Sequence, residues 1–322
     1  MPFIETIVPA NRLWHAQASL DSACLFVEWT PDCDWSDRIV LPQTPVILIG
    51  DAPEPLASAV DCRVRDRAAA ENLYAAISAN PLAARVIVDL LRSLPGMSLT
   101  DGLTMESLAY GVLQGSGEFA RWLEGRPRPL ADMPEGNVLA ERHEEVLTLT
   151  FDRAAAGNAI DRPMRDALNT MLQLAVVDDT IEQVLVRARG KAFSLGADLG
   201  EFGTTRDPAQ AHAIRSQTLP ARWAAGCGHK MEVHIDGACV GAGLELAAYA
   251  RRITATSRAW FQLPELAMGL LPGAGGCVSL TRRIGHQRTC EMILSGRRIS
   301  ARTALEWGLV DEITGDESRA DD

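Results

Sequence analysis

Lysine is nearly absent from this chain, which carries its positive charge almost entirely on arginine. Only Lys191 and Lys230 occur in 322 residues, and acidic side chains outnumber basic ones to give a formal net charge of −11 at pH 7. A negative surplus of this size argues against nonspecific binding to nucleic acid or to an anionic membrane surface. The sequence also has no run of about 18 apolar residues, so we predict no membrane-spanning helix.

Several catalytic and targeting signatures are missing as well. Seven cysteines without a C-x-x-C pair argue against a disulfide framework or a zinc site, and favour free, mostly buried thiols in a reducing compartment. The N-terminus has no basic stretch followed by an apolar core, so we expect no secretory signal and predict a cytoplasmic protein. The six histidines show no metal-ligand or triad spacing, and no P-loop, Gly-x-Ser-x-Gly elbow or dinucleotide fingerprint is present.

The apolar pattern divides the chain into five parts. In chain order they are an irregular lead-in with one or two strands (1–68), a helical segment (69–130), a linker (131–141), a core (142–313) and an acidic tail expected to be disordered (314–322). The boundary before the core is indicated by the prolines and glycines of 125–137. In the core, strands such as 146–151 alternate with helical patterns such as 162–177 and 208–225. That alternation is typical of an α/β fold.

Two segments of the core repeat one design, in which an apolar strand runs through a Gly- and Ala-rich turn into a helix start. The first turn is GKAFSLG (190–196) and the second is DGACVGAG (236–243). The first N–H groups of a helix lack internal partners and point outward at the positive end of the helix dipole. If the two turns face each other, the N–H groups of Ala197 and Ala242 could both donate to one carbonyl oxygen, as an oxyanion hole. Tight packing alone would also explain either turn, but both together favour a site.

Two glutamates accompany the second turn. Glu245 lies in the first turn of its helix, and Glu265 follows a proline 20 positions later (265 − 245 = 20). Paired carboxyl groups near one reacting centre can divide general-acid and general-base work. Each glutamate could instead be an exposed surface residue. Together with the two turns, they predict an enzyme acting on a carbonyl compound that becomes an oxyanion.

These segments resemble the enoyl-CoA hydratase/isomerase (crotonase) superfamily in their order and spacing. The matching stretches are KAFSLGADL (191–199), DGACVGAGLELA (236–247), FQLPE (261–265), GLLPGAGG (269–276), LSGRRISA (294–301) and GLVDE (308–312). The resemblance covers about 142–313. It implies an α/β fold, a spiral of ββα repeats, that binds acyl-CoA thioesters and assembles as a homotrimer or hexamer.

The resemblance also implies roles for individual residues. The N–H donors of the family match Ala197 and Ala242, and its two glutamates match Glu245 and Glu265. By analogy, Glu245 would activate water for attack at the β-carbon and Glu265 would protonate the α-carbon. Further positions that match substrate-binding segments are Ala192, Ser194, Gly196, Asp198, Leu199, Gly243, Pro264 and Gly273. Coenzyme A would be part of the substrate, so we expect no separate cofactor and no metal.

Retention of both glutamates favours hydration of a 2-enoyl-CoA, which is a lyase reaction. An enoyl-CoA isomerase or another reaction of the superfamily is the enzymatic alternative. The alternative of another class is a non-catalytic acyl-CoA-binding or structural paralogue, because Leu195 and Leu263 stand where many members have smaller or polar residues.

One departure from the family concerns the helices that cover the acyl pocket. Ordinary members continue past the Gly-Leu-Val-Asp motif into those helices, whereas ten residues follow Glu312 here. Segments within 75–126 resemble the missing part. We therefore predict a permuted arrangement in which 69–130 folds back as a helical cap and trimerisation segment, lining the pocket together with 208–223. Residues 45–64 could be a degenerate partial copy of the central stretch.

Overall fold

The N-terminal part of the chain forms a parallel sheet of four strands in the order β1-β2-β3-β4. The computed structural model describes residues 3–10, 22–32, 41–126 and 133–315. The first elements are β1 (Ile7–Pro9), β2 (Leu25–Glu28), β3 (Val46–Ile49), α1 (Leu56–Ala59) and β4 (Cys62–Val64). Side chains alternate along β3, so that Ile47 joins the main core while Val46 and Leu48 pack in a second cluster with α1. We expected one or two strands in this lead-in; strands of three or four residues are too short to show a period.

Four helices follow, over most of the helical segment predicted at 69–130. They are α2 (Arg67–Ala79), α3 (Pro81–Ser93), α4 (Leu99–Gln114) and α5 (Gly117–Gly125). Asp66, Ser98 and Ser116 each accept a hydrogen bond from an N–H in the first turn of the helix that follows, which fixes the starts of α2, α4 and α5. No single helix in the described ranges is long and apolar enough to cross a bilayer; α2 and α3 together, bent by 105°, meet that test on length and composition alone.

The rest of the described chain forms two sheets joined by helices. Its elements are β5 (Asn137–His143), β6 (Val146–Asp152), α6 (Arg162–Val177), β7 (Gln183–Ala188), β8 (Ala192–Ser194), α7 (Pro208–Thr218), α8 (Ala221–Cys227), β9 (Met231–Ile235), β10 (Ala238–Val240), α9 (Gly241–Ala247), β11 (Arg252–Thr256), β12 (Trp260–Gln262), α10 (Gly276–Ile284), α11 (His286–Ser295), β13 (Ile299–Ser300), α12 (Ala301–Glu306) and β14 (Glu312–Thr314). The strand orders are β14-β11-β9-β7-β6-β5 and β13-β12-β10-β8. Each of the pairs β7/β8, β9/β10 and β11/β12 gives one strand to each sheet before a helix follows. This is the predicted spiral of ββα repeats.

Two boundaries differ from the prediction. β5 starts at Asn137 and pairs with β6 along its whole length, so the second half of the expected linker (131–141) belongs to the sheet. The single helix expected at 208–225 is divided into α7 and α8, because Pro220 has no N–H to continue the helical ladder.

Parts of several expectations lie outside the described residues. These parts are most of the first 40 positions of the lead-in (1–2, 11–21 and 33–40, which include Cys33), the end of the helical segment and the start of the linker (127–132), and most of the acidic tail (316–322). The six cysteines in the described ranges are buried and free, as predicted.

Helices α2 to α5 do not form a separate unit. Buried side chains from β2, β3, α2, α3 and α4 belong to one continuous apolar cluster with those of β6 to β11 and α9 to α12. In particular, α2 and α3 pack on α11, and α4 packs on α10. The helical segment therefore lies directly against the sheets and helices that carry the predicted site.

Candidate active site

The candidate site is built at the carboxyl ends of three adjacent parallel strands. β10 pairs with β8 on one side and with β12 on the other. The chain continues from β8 into Ala197, from β10 into Ala242 and Glu245, and, past Pro264, from β12 into Glu265. Parallel strands end at the same edge of a sheet, so segments far apart in sequence meet here.

Gly196 and Gly241 bring the two turns into contact. Their φ values are 93° and 47°, a left-handed region that favours glycine. A Cβ built on Gly196 would lie 3.2 Å from the carbonyl oxygen of Val240. One built on Gly241 would lie 2.8 Å from Oε1 of Glu265 and 3.6 Å from Cα of Gly196. Glycine at both positions therefore allows the two turns and the second carboxyl to approach closely.

Ala197 and Ala242 follow these glycines and line one cavity. Ala197 forms a parallel bridge with Ile160, but the hydrogen bonds of that bridge use the carbonyl of Gly196 and the N–H of Asp198. Ala242 lies in the first turn of α9, where an N–H has no intrahelical partner. The N-cap residue of α9, Val240, supplies no side-chain hydrogen bond to that turn. No acceptor for either N–H occurs within the described ranges, which leaves both available as the donors that an oxyanion hole requires.

Glu245 is buried, with 2% of its surface exposed. Its Oε2 accepts hydrogen bonds from the N–H groups of Ala274 at 2.7 Å and Gly276 at 2.8 Å, at the N-terminus of α10, whose dipole favours an anion. A Cβ on Gly276 would lie 2.4 Å from Cγ of Glu245, so only glycine allows this approach. Burial raises the pKa of Glu245 to about 7, and the two N–H donors oppose part of that rise.

Glu265 lines the same cavity in a different environment. It opens a short 3-10 turn, is 8% exposed, and its Oε2 is buried without a hydrogen-bond partner in the described part of the chain. Burial first, and then the negative charge of Glu245, raise the pKa of Glu265 well above its ordinary value. Two N–H donors thus favour the ionised form of Glu245, whereas burial favours the neutral form of Glu265.

A third buried carboxyl comes from the N-terminal helices. Glu106 on α4 accepts hydrogen bonds from the N–H of Gly275 at 2.7 Å and of Val278 at 3.3 Å, so Glu106 and Glu245 together hold the start of α10. Burial first, and then the charge of Glu245, raise the pKa of Glu106. Glu106 does not line the cavity. Its position in α4 gave no signal of this role, since its partner Gly275 lies 169 residues further along the chain.

The other predicted substrate-binding positions divide into two groups. Gly196, Asp198, Leu199, Pro264 and Gly273 line the cavity, whereas Ala192, Ser194 and Gly243 do not. Ser194 is fully buried and donates to the carbonyl of Asn158, and Gly243 packs against its Cβ. The carbonyl of Ala192 accepts from Asn158. These three residues therefore support the two turns from beneath and do not face the cavity.

Two polar residues that sequence reasoning missed hold the first turn. Asn158 accepts from the N–H of Arg153 at 2.8 Å and donates to the carbonyls of Arg189 and Ala192, both at 2.8 Å. Arg153 is almost fully buried and donates to Asp198 at 2.7 Å. Asp198 therefore orients the backbone next to Ala197. No local pattern marks Arg153 or Asn158, because Asp198 lies 45 residues after Arg153, and Arg189 and Ala192 lie 31 and 34 residues after Asn158.

The cavity beside Ala197, Ala242 and the two glutamates has a volume of about 570 Å³. One wall comes from the N-terminal helices and another from α7 and α8, with the lining residues Tyr110, Gln114, Phe119, Ala211, Ile214, Arg215 and 219–221. These are the two regions expected to line the pocket. Within the described ranges, no group of three or more His, Cys, Asp or Glu side chains is placed to hold a metal ion.

The N-terminal helices contact three of the segments that line the cavity. Asn80 donates from Nδ2 to the carbonyl of Leu266, one residue after Glu265, at 2.9 Å. Trp122 packs edge-on against Phe202, with ring centroids 5.8 Å apart, in the segment that follows the first turn. The ring of Tyr110 lies against Gly273. These helices thus close one side of the cavity.

Fold and site together define an α/β protein with a buried pair of carboxyls and two backbone N–H groups that have no acceptor among the described residues, all at adjacent strand ends. Such a site suits a carbonyl compound that gains negative charge on its oxygen. The family model for enoyl-CoA hydratase/isomerase matches residues 141–321. The chain belongs to this enzyme family.

Individual relatives agree with this assignment. The 2,3-dehydroadipyl-CoA hydratase of Escherichia coli (strain K12) is 34% identical over 178 residues, which are 55% of this chain and 68% of the relative. A trans-2-decenoyl-[acyl-carrier-protein] isomerase of Streptococcus mutans serotype c (strain ATCC 700610 / UA159) is 31% identical over 172 residues, 51% of this chain and 64% of the relative. Among solved structures, an enoyl-CoA hydratase from Bacillus anthracis aligns with a TM-score of 0.51 and 27% identity over 56% of this chain and 70% of its own. The family match includes both turns and both glutamates, and it begins after the N-terminal helices.

Proposed function

We propose that this protein hydrates a 2-enoyl-CoA thioester. The observation that carries the proposal is the unequal environment of Glu245 and Glu265 in one cavity. With a pKa of about 7 and two N–H donors, Glu245 is substantially ionised near neutral pH, whereas Glu265 keeps its proton because its pKa lies well above the ordinary value. Adding water to a double bond needs one base and one acid at the same place.

In this reaction the thioester oxygen accepts hydrogen bonds from the N–H groups of Ala197 and Ala242. Both donors stabilise the negative charge that reaches this oxygen in the enolate, and each is typically worth ~2.7–4 kcal/mol. Glu245 takes a proton from water as the water oxygen bonds to the β-carbon, and Glu265 gives its proton to the α-carbon. The product is the 3-hydroxyacyl thioester, and proton exchange with solvent then restores both glutamates.

A double-bond isomerase is the second candidate, because the Streptococcus mutans relative is named as one. That reaction moves a proton between two carbons and needs no attacking water. The two candidates differ in the role of Glu245, which activates water in a hydratase and is not required for that purpose in an isomerase. A non-catalytic paralogue is disfavoured by the two buried carboxyls, since Oε2 of Glu265 is buried without a hydrogen-bond partner among the described residues, which costs stability.

Mass analysis of the product separates these candidates. We expect the purified chain to convert a 2-enoyl-CoA into a product heavier by one water, because the site holds both a base and an acid. An isomerase would give a product of unchanged mass, and a binding protein would give no product while still binding the thioester. Either of those two results would contradict the proposed hydration.

The rate of hydration is expected to follow a bell-shaped dependence on pH. The base must be ionised, so kcat/KM rises with pH through about 7, the pKa of Glu245. The acid must keep its proton, so kcat/KM falls again at higher pH, where Glu265, whose pKa is raised, ionises. Because the two carboxyl groups interact, the two apparent pKa values of this profile belong to the pair and not to either glutamate alone. Initial rates on both sides of pH 7 measure the rising limb. Rates at higher pH locate the fall, and a flat profile through neutral pH would contradict the assignment of roles.

The remaining expectations form part of the same proposal. The acyl-CoA thioester is the only organic ligand that the reaction requires, and α2 to α5 serve as the helical cap that other members build from their C-terminal segment. We also predict assembly as a homotrimer or hexamer, which light scattering can measure. A cytoplasmic location is a further prediction.

A further inference from the structure

A half-buried arginine lies in the wall of the cavity and is held there by neutral groups. Arg215 on α7 lines the cavity together with Tyr110 and Gln114 of α4. Its guanidinium carbon lies 4.6 Å from the centroid of the Tyr110 ring, and its Nη1 donates to Oε1 of Gln114 at 2.7 Å. Nε and Nη2 donate to the hydroxyl and the carbonyl of Ser107 at 3.1 Å and 3.0 Å. Such a guanidinium has a fixed position and direction.

No carboxylate forms a salt bridge with this cation within the described part of the chain, although the charge of Glu106 opposes part of the fall in the pKa of Arg215. The acceptors of Arg215 are an amide, a hydroxyl and a carbonyl, all of them neutral. The nearby carboxyl of Glu106 has its oxygens engaged by the N–H groups of Gly275 and Val278. A guanidinium stays charged in proteins and has five N–H donors, and these contacts use three of them. Donors and positive charge are both left for a ligand.

The surroundings make an anionic ligand favourable. Ile214 and Leu219, next to Arg215 in the wall, are apolar, and burial lowers the pKa of Arg215, which reflects lost hydration. An acyl chain ending in a methyl group would displace the remaining water and leave the cation unpaired, which costs free energy. A carboxylate could pair with the guanidinium through two parallel hydrogen bonds.

The ring of Tyr110 contacts both this cation and the segment that binds Glu245. One edge of its ring lies against Gly273, next to Ala274, whose N–H binds Glu245. Arg215 lies over the face of the same ring. A ligand bound between Glu245 and Glu265 would therefore reach Arg215 only with an acyl group of several carbons.

We infer that the substrate is a 2-enoyl-CoA whose acyl chain ends in a carboxylate, and that Arg215 and Gln114 recognise this end. The inference rests on the proposed hydration and specifies its substrate class. The competing explanation is that Arg215 only ties α7 to α4.

Two substrates of equal chain length separate these explanations, one ending in a methyl group and the other in a carboxylate. For the unmodified protein we expect kcat/KM to be at least about 10-fold higher for the carboxylate. Arg215→Gln should abolish this preference, mainly by raising KM for the carboxylate substrate by about 10-fold, and Arg215→Lys should retain part of it. Arg222→Gln is the matched control, because Arg222 is an exposed arginine on α8 that does not line the cavity.

The outcomes distinguish this inference from the proposed function. Equal losses on both substrates in Arg215→Gln would indicate a bridging role and overturn the inference, as would hydration of both substrates without a preference for the carboxylate. If neither substrate is hydrated, the proposed function fails. Calorimetric binding of the saturated analogues then still tests Arg215, because a tighter carboxylate complex that is lost in Arg215→Gln supports the inference without turnover, and equal binding of both analogues overturns it.

Discussion

Glu265→Gln and Glu245→Gln are each expected to lower kcat for hydration by about 10²- to 10⁴-fold, the usual contribution of a general acid or base. An amide at position 265 has no proton to give to the α-carbon, and an amide at position 245 cannot take one from water. Both side chains line the cavity. Initial rates of hydration measure the loss.

The two variants should differ in stability, which separates a catalytic loss from a folding defect. Oε2 of Glu265 has no hydrogen-bond partner in the described chain, so an amide there removes no bond. Oε2 of Glu245 accepts two N–H groups, and an amide that turns its NH₂ toward them loses these bonds at a cost of about 1–3 kcal/mol. Thermal unfolding and binding of a saturated acyl-CoA serve as controls. Full activity in either variant, with the fold intact, would contradict the proposed mechanism.

The core of the site could be predicted because its signals are local. In each of the two segments, a short apolar strand, a Gly-rich turn and a helix start lie within about a dozen residues. Parallel pairing of the strands then brings the two turns to the same edge of the sheet. Gly241 needs its positive φ, and Gly276 needs its missing side chain so that Glu245 can approach. Such requirements are visible in a sequence because only one residue type meets them.

The support of the site could not be predicted, because it depends on contacts between distant residues. The sequence around Asn158 gives no indication of its role, because the carbonyls of Arg189 and Ala192 that it binds lie more than 30 residues away. Ser194 and Gly243 match the family pattern for packing reasons that a linear motif cannot separate from ligand contact. Arg215 becomes a candidate recognition residue only when α4 is placed against α7.

Glu106→Gln is expected to lower kcat by about 10- to 100-fold, although Glu106 does not contact the cavity. An amide cannot accept from Gly275 and Val278 through both of its heteroatoms, so the start of α10 loses a hydrogen bond. The N–H groups that bind Glu245 belong to Ala274 and Gly276, on either side of Gly275. These donors lower the pKa of Glu245, so loosening them should move the rising limb of the pH profile to higher pH.

Glu118→Gln is the matched control for this positioning role. Glu118 is another buried glutamate of the N-terminal helices, and it accepts from the N–H groups of Leu82 and Ala83 at the start of α3, both at 2.9 Å. Both variants remove one acceptor from a helix start, so both should lower the unfolding temperature. Only Glu106→Gln should displace the rising limb, because only α10 donates to Glu245. Equal pH profiles in the two variants would show that Glu106 only caps a helix. A rising limb displaced only in Glu106→Gln would show that the N-terminal helices help to set the pKa of Glu245.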